Sequence, residues 1–185
     1  MQKEYLKSVI KQFEYYKSVG DKTCAQLSDE DYFWQYNEQS NSIAIIVNHL
    51  WGNMLSRWTD FLTTDGEKEW RKRDLEFEDV IETKEELTAK WNEAWDCLFT
   101  ALHSINEDNF DAEIFIRNQS HSVIEAINRQ LAHYAYHIGQ MVYIGRMIQA
   151  EKWKSLTIPK GKSNEFNQNK FLKGKHKGHF SDDLK

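Results

Sequence analysis

Two histidines four residues apart, His133 and His137, sit inside an apolar-periodic stretch of the chain. On a helix both imidazoles leave the same face about one turn apart, a spacing that can chelate an ion. Neutral imidazole binds zinc, nickel and related divalent ions, and a third ligand from another element completes a tripod with open positions. His49 is the natural third candidate, because it lies in a second apolar-periodic stretch. At three, four and seven residues beyond it stand Gly52, Asn53 and Ser56, all small. Side chains this small leave space, so they are expected to border the open side of an ion carrying water and substrate. The same residues also suit packed, hydrogen-bonded histidines with no ion, and spacing alone does not separate the two. Metalloprotease chemistry loses its main support, since Tyr134 follows His133 where a His-Glu-x-x-His helix carries its general base. His103, His121, His176 and His179 stand near helix ends or in the tail without a partner at ligand spacing, and read as surface residues.

The elements that must position these side chains are legible as stripes at intervals of three and four. Tyr5, Val9, Phe13, Tyr16, Val19, Thr23 and Leu27 mark a first helix, followed by the capping side chains of Ser28-Asp29-Glu30-Asp31 and a polar loop. Ile43, Val47, Leu50, Met54, Trp58 and Phe61 mark a second, which carries His49 and ends near Asp65-Gly66. Thr83 and Glu86 form a capping box ahead of Leu87, Trp91, Ala94, Leu98, Ala101 and Ile105, the third. Ser122 and Glu125 open the fourth, with Ile127, Leu131, Tyr134, Ile138, Met141, Gly145 and Ile148 on its face and His133 and His137 within it. Residues 67–82, dense in both charges, read as a loop tacked onto the helices by Trp70 and Phe77. Leu27-Ser28-Asp29-Glu30-Asp31 is echoed by Ile105-Asn106-Glu107-Asp108-Asn109, each with an aromatic close behind, which points to two helix-loop-helix halves. The expected class is all-α, a four-helix bundle with long loops at 28–41, 64–82 and 106–121.

Composition agrees. Hydrophobic residues make up 40% of the 185, and one proline and eight glycines leave long uninterrupted segments. Residues 152–185 hold nine lysines against three acids, although the whole chain is at −5, so an acidic domain at 1–151 is expected to precede a basic extension at 152–185. Without a recognition motif or interleaved aromatics, that extension argues against nucleic acid as a partner. No stretch has the length of a signal peptide's apolar run or a membrane span, and the two cysteines, Cys24 and Cys97, read as reduced thiols. The expected setting is the cytoplasm, away from membranes.

The segments SIAIIVNHLWGNMLSRW from Ser42 and LAHYAYHIGQMVYIGRM from Leu131 resemble the two histidine-bearing helices of the DinB-like family. The distinctive parts are Asn48-His49-Leu50 and His133-x-x-x-His137-Ile138-Gly139-Gln140, and the likeness covers residues 1–150. It implies a bundle, often dimeric, in which His49, His133 and His137 match the three metal-binding histidines. Relatives include bacillithiol transferases and mycothiol-dependent maleylpyruvate isomerases. The implied function is therefore a metal-dependent thiol S-transferase acting on small electrophiles, with zinc or nickel and a low-molecular-weight thiol as cofactors. Arg57, Arg71, Arg73, Arg117 and Arg146 are the candidate partners for that thiol's anionic groups. No carboxylate stands at a fixed offset from the histidines to serve as general base. A non-enzymatic metal-binding or stress-related dimer is the other expectation.

Overall fold

The computed structural model describes residues 2–78 and 80–183, and the chain is mainly helical, at 62%. Four long helices carry the core: α1 (Gln2–Cys24), α2 (Ile43–Trp58), α3 (Lys84–Ser104) and α4 (Val123–Gln149), and a short α5 (Ser163–Leu172) follows. Among these residues no helix is long and apolar enough to cross a membrane.

Each start is set by a side chain that fills free backbone donors. Ser42 accepts from Ile45 N at the head of α2, and Thr83 does the same for Glu86 N at the head of α3. At α4 the box is complete, since Ser122 takes Glu125 N while the Glu125 carboxylate takes Ser122 N. The echo between the two halves is physical: Ser28 N donates to Asp31 Oδ2 and Asn106 N to Asn109 Oδ1, both at 2.8 Å. Leu27 and Ile105 are buried ahead of these turns, and Tyr32 and Phe110 behind them.

The chief pairings are α2 with α3 and α1 with α4, with α2 also against α4. Phe13, Trp95, Leu98, Ile127, Tyr134 and Met141 fill the centre, and each such side chain contributes about 1.5–3 kcal/mol on burial. Fourteen of the sixteen residues of α2 are buried, so its polar members, Asn48, His49, Asn53, Ser56 and Arg57, must find partners inside the protein.

One segment departs from the all-α expectation. Within the anticipated loop 106–121, β1 (Glu113–Ile116) and β2 (Gln119–Ser122) pair antiparallel, Glu113 opposite Ser122 and Ile116 opposite Gln119. The turn residues Arg117 and Asn118 take φ of 55° and 60°, a left-handed pair suited to a two-residue hairpin. Asp65 holds them by accepting both backbone N–H groups at 2.8 and 2.7 Å. The segment 67–82 contains a 3-10 turn, Arg73–Phe77, packed on α2. The basic tail is exposed along α5, yet it returns to α1, where Lys11 Nζ meets Asp182 Oδ1 at 2.8 Å and Phe180 meets the Tyr15 ring.

Candidate metal centre

Because α2 packs against α4, His49 is brought to the face that bears His133 and His137. Their Nε2 atoms converge: His133 lies 3.2 Å from His49 and 3.1 Å from His137. Among the described residues they form the one group of three or more His, Cys, Asp or Glu side chains able to hold a metal ion. His49 and His137 are buried and His133 is half-buried, so the cluster meets solvent on the His133 side.

Hydrogen bonds decide which nitrogen of each ring faces inward. His49 Nδ1 lies 2.8 Å from Glu76 Oε2, and His137 Nδ1 lies 2.8 Å from Gln140 Oε1. Both oxygens only accept, so each ring carries its proton on Nδ1 and turns the Nε2 lone pair toward the centre. A single N–H on His133 satisfies one of those lone pairs and leaves the other facing an occupied nitrogen. Protonation does not relieve this. Burial, then His137, His49 and the Arg57 and Arg71 guanidiniums, push His133 down to about 3. Burial and His49 push His137 down to about 4, against the opposing bond from Gln140. Nitrogens held by one ion at about 2.0–2.1 Å stand about 3 Å apart, so the donor set fits a divalent cation.

Behind His49 lies a chain of charges. Glu76 accepts from Arg71 Nε at 2.6 Å and Nη2 at 2.9 Å, while Glu67 Oε2 meets Arg57, Arg71 and Arg117 at 3.2, 3.4 and 3.1 Å. Burial by itself raises both carboxyls, but the guanidiniums outweigh it and hold Glu67 and Glu76 below their usual range. Phe77 stacks on the His49 ring with centroids 4.6 Å apart.

The space beside Gly52, Asn53 and Ser56 is not the opening that their size led us to expect. A Cβ on Gly52 would sit 2.5 Å from Glu76 Oε1, so the gap is filled by that carboxylate. Asn53 Oδ1 accepts from Tyr134 Oη at 3.1 Å, and Ser56 Oγ donates to Gly66 O at 2.7 Å. Of the arginines expected to meet an anionic thiol, Arg57, Arg71 and Arg117 pair with Glu67, and Arg71 with Glu76 as well. Arg73 lies over the Phe77 ring. His103, His121, His176 and His179 stay outside the cluster.

Sequence reasoning missed Glu76 and named Arg71 only as a partner for a thiol's anionic groups, since both lie in a segment without periodicity and at no fixed offset from a histidine. Gln140 was inside the matched motif, but its role as acceptor for His137 Nδ1 emerges only from the geometry. No curated protein and no solved structure gives a significant match to the chain. Residues 1–162 match the family model described as Protein of unknown function (DUF1572), a DinB-like family, and the chain belongs to that family.

Proposed function

We propose that this chain is a DinB-like four-helix bundle that binds one divalent ion, zinc or nickel, through His49, His133 and His137, and that it works as a metal-dependent thiol S-transferase on small electrophiles. The observation that carries the metal-binding part is the convergence of three Nε2 atoms, two of them locked as lone-pair donors by Glu76 and Gln140. A bound ion would supply a Lewis-acid centre that lowers the pKa of a thiol or water. Three neutral imidazoles leave the full positive charge available for that purpose. His133 is the least buried of the three and marks the side from which substrate arrives. The chain's own thiols do not serve as nucleophile: burial raises Cys24 and Cys97, and neither belongs to the cluster. In this reading, as the DinB-like resemblance implies, a low-molecular-weight thiol of the bacillithiol type fills that role.

The closure of the His49 side by Glu76 and Phe77 favours a second reading, a non-enzymatic metal-binding or stress-related dimer. Turnover separates the two. Protein loaded with zinc or nickel, given bacillithiol or a related small thiol and a chromogenic electrophile, should accelerate conjugation and lose that rate on chelation. No acceleration with any thiol in the panel would leave the metal-binding dimer as the function.

A further inference from the structure

Glu76 is a carboxylate with only 6% of its surface exposed, carried on a segment without a long helix or strand. Burying such a group is unfavourable unless its lone pairs are filled, and Arg71 alone fills much of that need with its two-pronged contact. An ion pair does not explain the rest of the arrangement. Oε2 is shared between Arg71 Nη2 and His49 Nδ1. Asn48, the residue before His49, donates its Nδ2 to the backbone oxygens of Leu75 and Glu76 at 3.5 and 3.2 Å. Phe77 lies flat on the His49 imidazole, 28° from parallel. Gly52, about one turn further along α2, is the position at which any side chain would strike the Glu76 carboxylate. Two consecutive residues of the turn, Glu76 and Phe77, thus meet one ring, and Asn48 ties the backbone at Leu75 and Glu76 to α2.

We propose that Glu76 is a positioning residue for the metal centre: by accepting the Nδ1 proton of His49 it fixes the tautomer that presents Nε2, holds the ring plane, and strengthens Nε2 as a donor to a divalent ion. The inference rests on the metal-binding reading above. A carboxylate behind a ligating imidazole makes that imidazole a better donor, and loss of such a partner lowers metal affinity by about 10–100-fold.

Glu76→Gln keeps the size and removes the charge, whereas Gly52→Ala keeps Glu76 and drives its carboxylate away from His49. Two quantities are read on each variant. The first is the His49 tautomer in metal-free protein at pH 8, from two-bond 1H–15N correlations of the imidazoles. The second is the Zn2+ dissociation constant, by competition with a chelator. Circular dichroism confirms that the helices persist, and Gly52→Ala carries the test if Glu76→Gln does not fold. The expected result is an Nδ1–H tautomer in the wild type and in Glu76→Gln, whose amide oxygen still accepts, a mixed population in Gly52→Ala, and a Zn2+ dissociation constant raised about 10–100-fold in both variants. Wild-type affinity in folded variants overturns the inference and leaves metal binding intact. Weakened affinity in Gly52→Ala with an unchanged tautomer overturns it as well, reducing Glu76 to a prop for the segment. A wild type that takes up no Zn2+ removes the metal-binding reading and this inference together.

Discussion

Tyr134→Phe separates what holds the fold from what holds the ion. Tyr134 is fully buried, next to His133 in the chain, and its hydroxyl accepts from Trp58 Nε1 at 2.9 Å while donating to Asn53 Oδ1 at 3.1 Å. Burial raises the phenol above its ordinary range, so the hydroxyl stays protonated and able to donate. Removing one oxygen orphans two groups at once, an indole N–H and an amide oxygen on residues 3% and 5% exposed. A buried group left without its partner costs about 1–3 kcal/mol. Because the missing atom leaves too little room for water, the sum is about 2–6 kcal/mol. For a chain of this size, at about 2–4 °C per kcal/mol, that corresponds to a fall in Tm of roughly 4–24 °C. The assay is thermal and urea denaturation followed by circular dichroism, with zinc stoichiometry measured on the same samples. The structure predicts the loss of stability with unchanged stoichiometry, because neither orphaned group touches an Nε2 of the cluster. A Tm within about 2 °C of wild type would refute the reasoning about the buried hydroxyl.

Other outcomes follow from single contacts. Gly20→Ala places a Cβ 2.6 Å from Trp91 Cη2, and that indole is pinned by its bond to Asp21; an overpacking cost of about 1–3 kcal/mol exceeds the helix gain of about 1 kcal/mol, so the urea midpoint should fall. Burial pushes the Cys24 thiol up to about 12, which leaves about one thiolate in ten thousand at pH 8. Iodoacetamide labelling read by mass spectrometry should find Cys24 in native protein roughly a thousandfold slower than a free thiol, its rate rising about tenfold per pH unit while the fold persists; labelling at the free rate would contradict this. Removal of residues 160–185 deletes the Lys11–Asp182 and Tyr15–Phe180 contacts but no member of the cluster. Zinc stoichiometry should then stay at the wild-type value, and its loss would show that the tail supports the site.

Much of the architecture was legible because helices advertise themselves locally. The stripes through Phe13, Leu50, Leu98 and Tyr134 fall on buried faces, and Thr83 and Ser122 cap helices in the structure. The hairpin was not legible. Its alternation of Ile114 and Ile116 spans only four residues, and its turn lacks the glycine that usually marks one. What stabilises Arg117 and Asn118 there is the carboxylate of Asp65, far away in sequence. The site divides in the same way. His133 and His137 stand one turn apart on a single helix, so spacing carries that pair, whereas His49 reaches them only through the packing of α2 on α4. Glu76 and Arg71 lie beyond any periodic signal, because their meaning comes from the ring and the glycine they meet. The smallness of Gly52 was correctly seen as space, but the occupant is a side chain of the protein itself.

Metal content is the most direct check on the three-histidine centre. Protein purified without a histidine tag, wild type alongside His133→Ala and His137→Ala, is equilibrated with zinc or nickel, desalted, and analysed for metal per chain by elemental mass spectrometry. The structure predicts about one ion per wild-type chain and a sharp loss in both variants, with helical circular dichroism retained because packing and not the ion holds the helices. A wild type that retains no metal, or variants that keep the full wild-type stoichiometry, would contradict it.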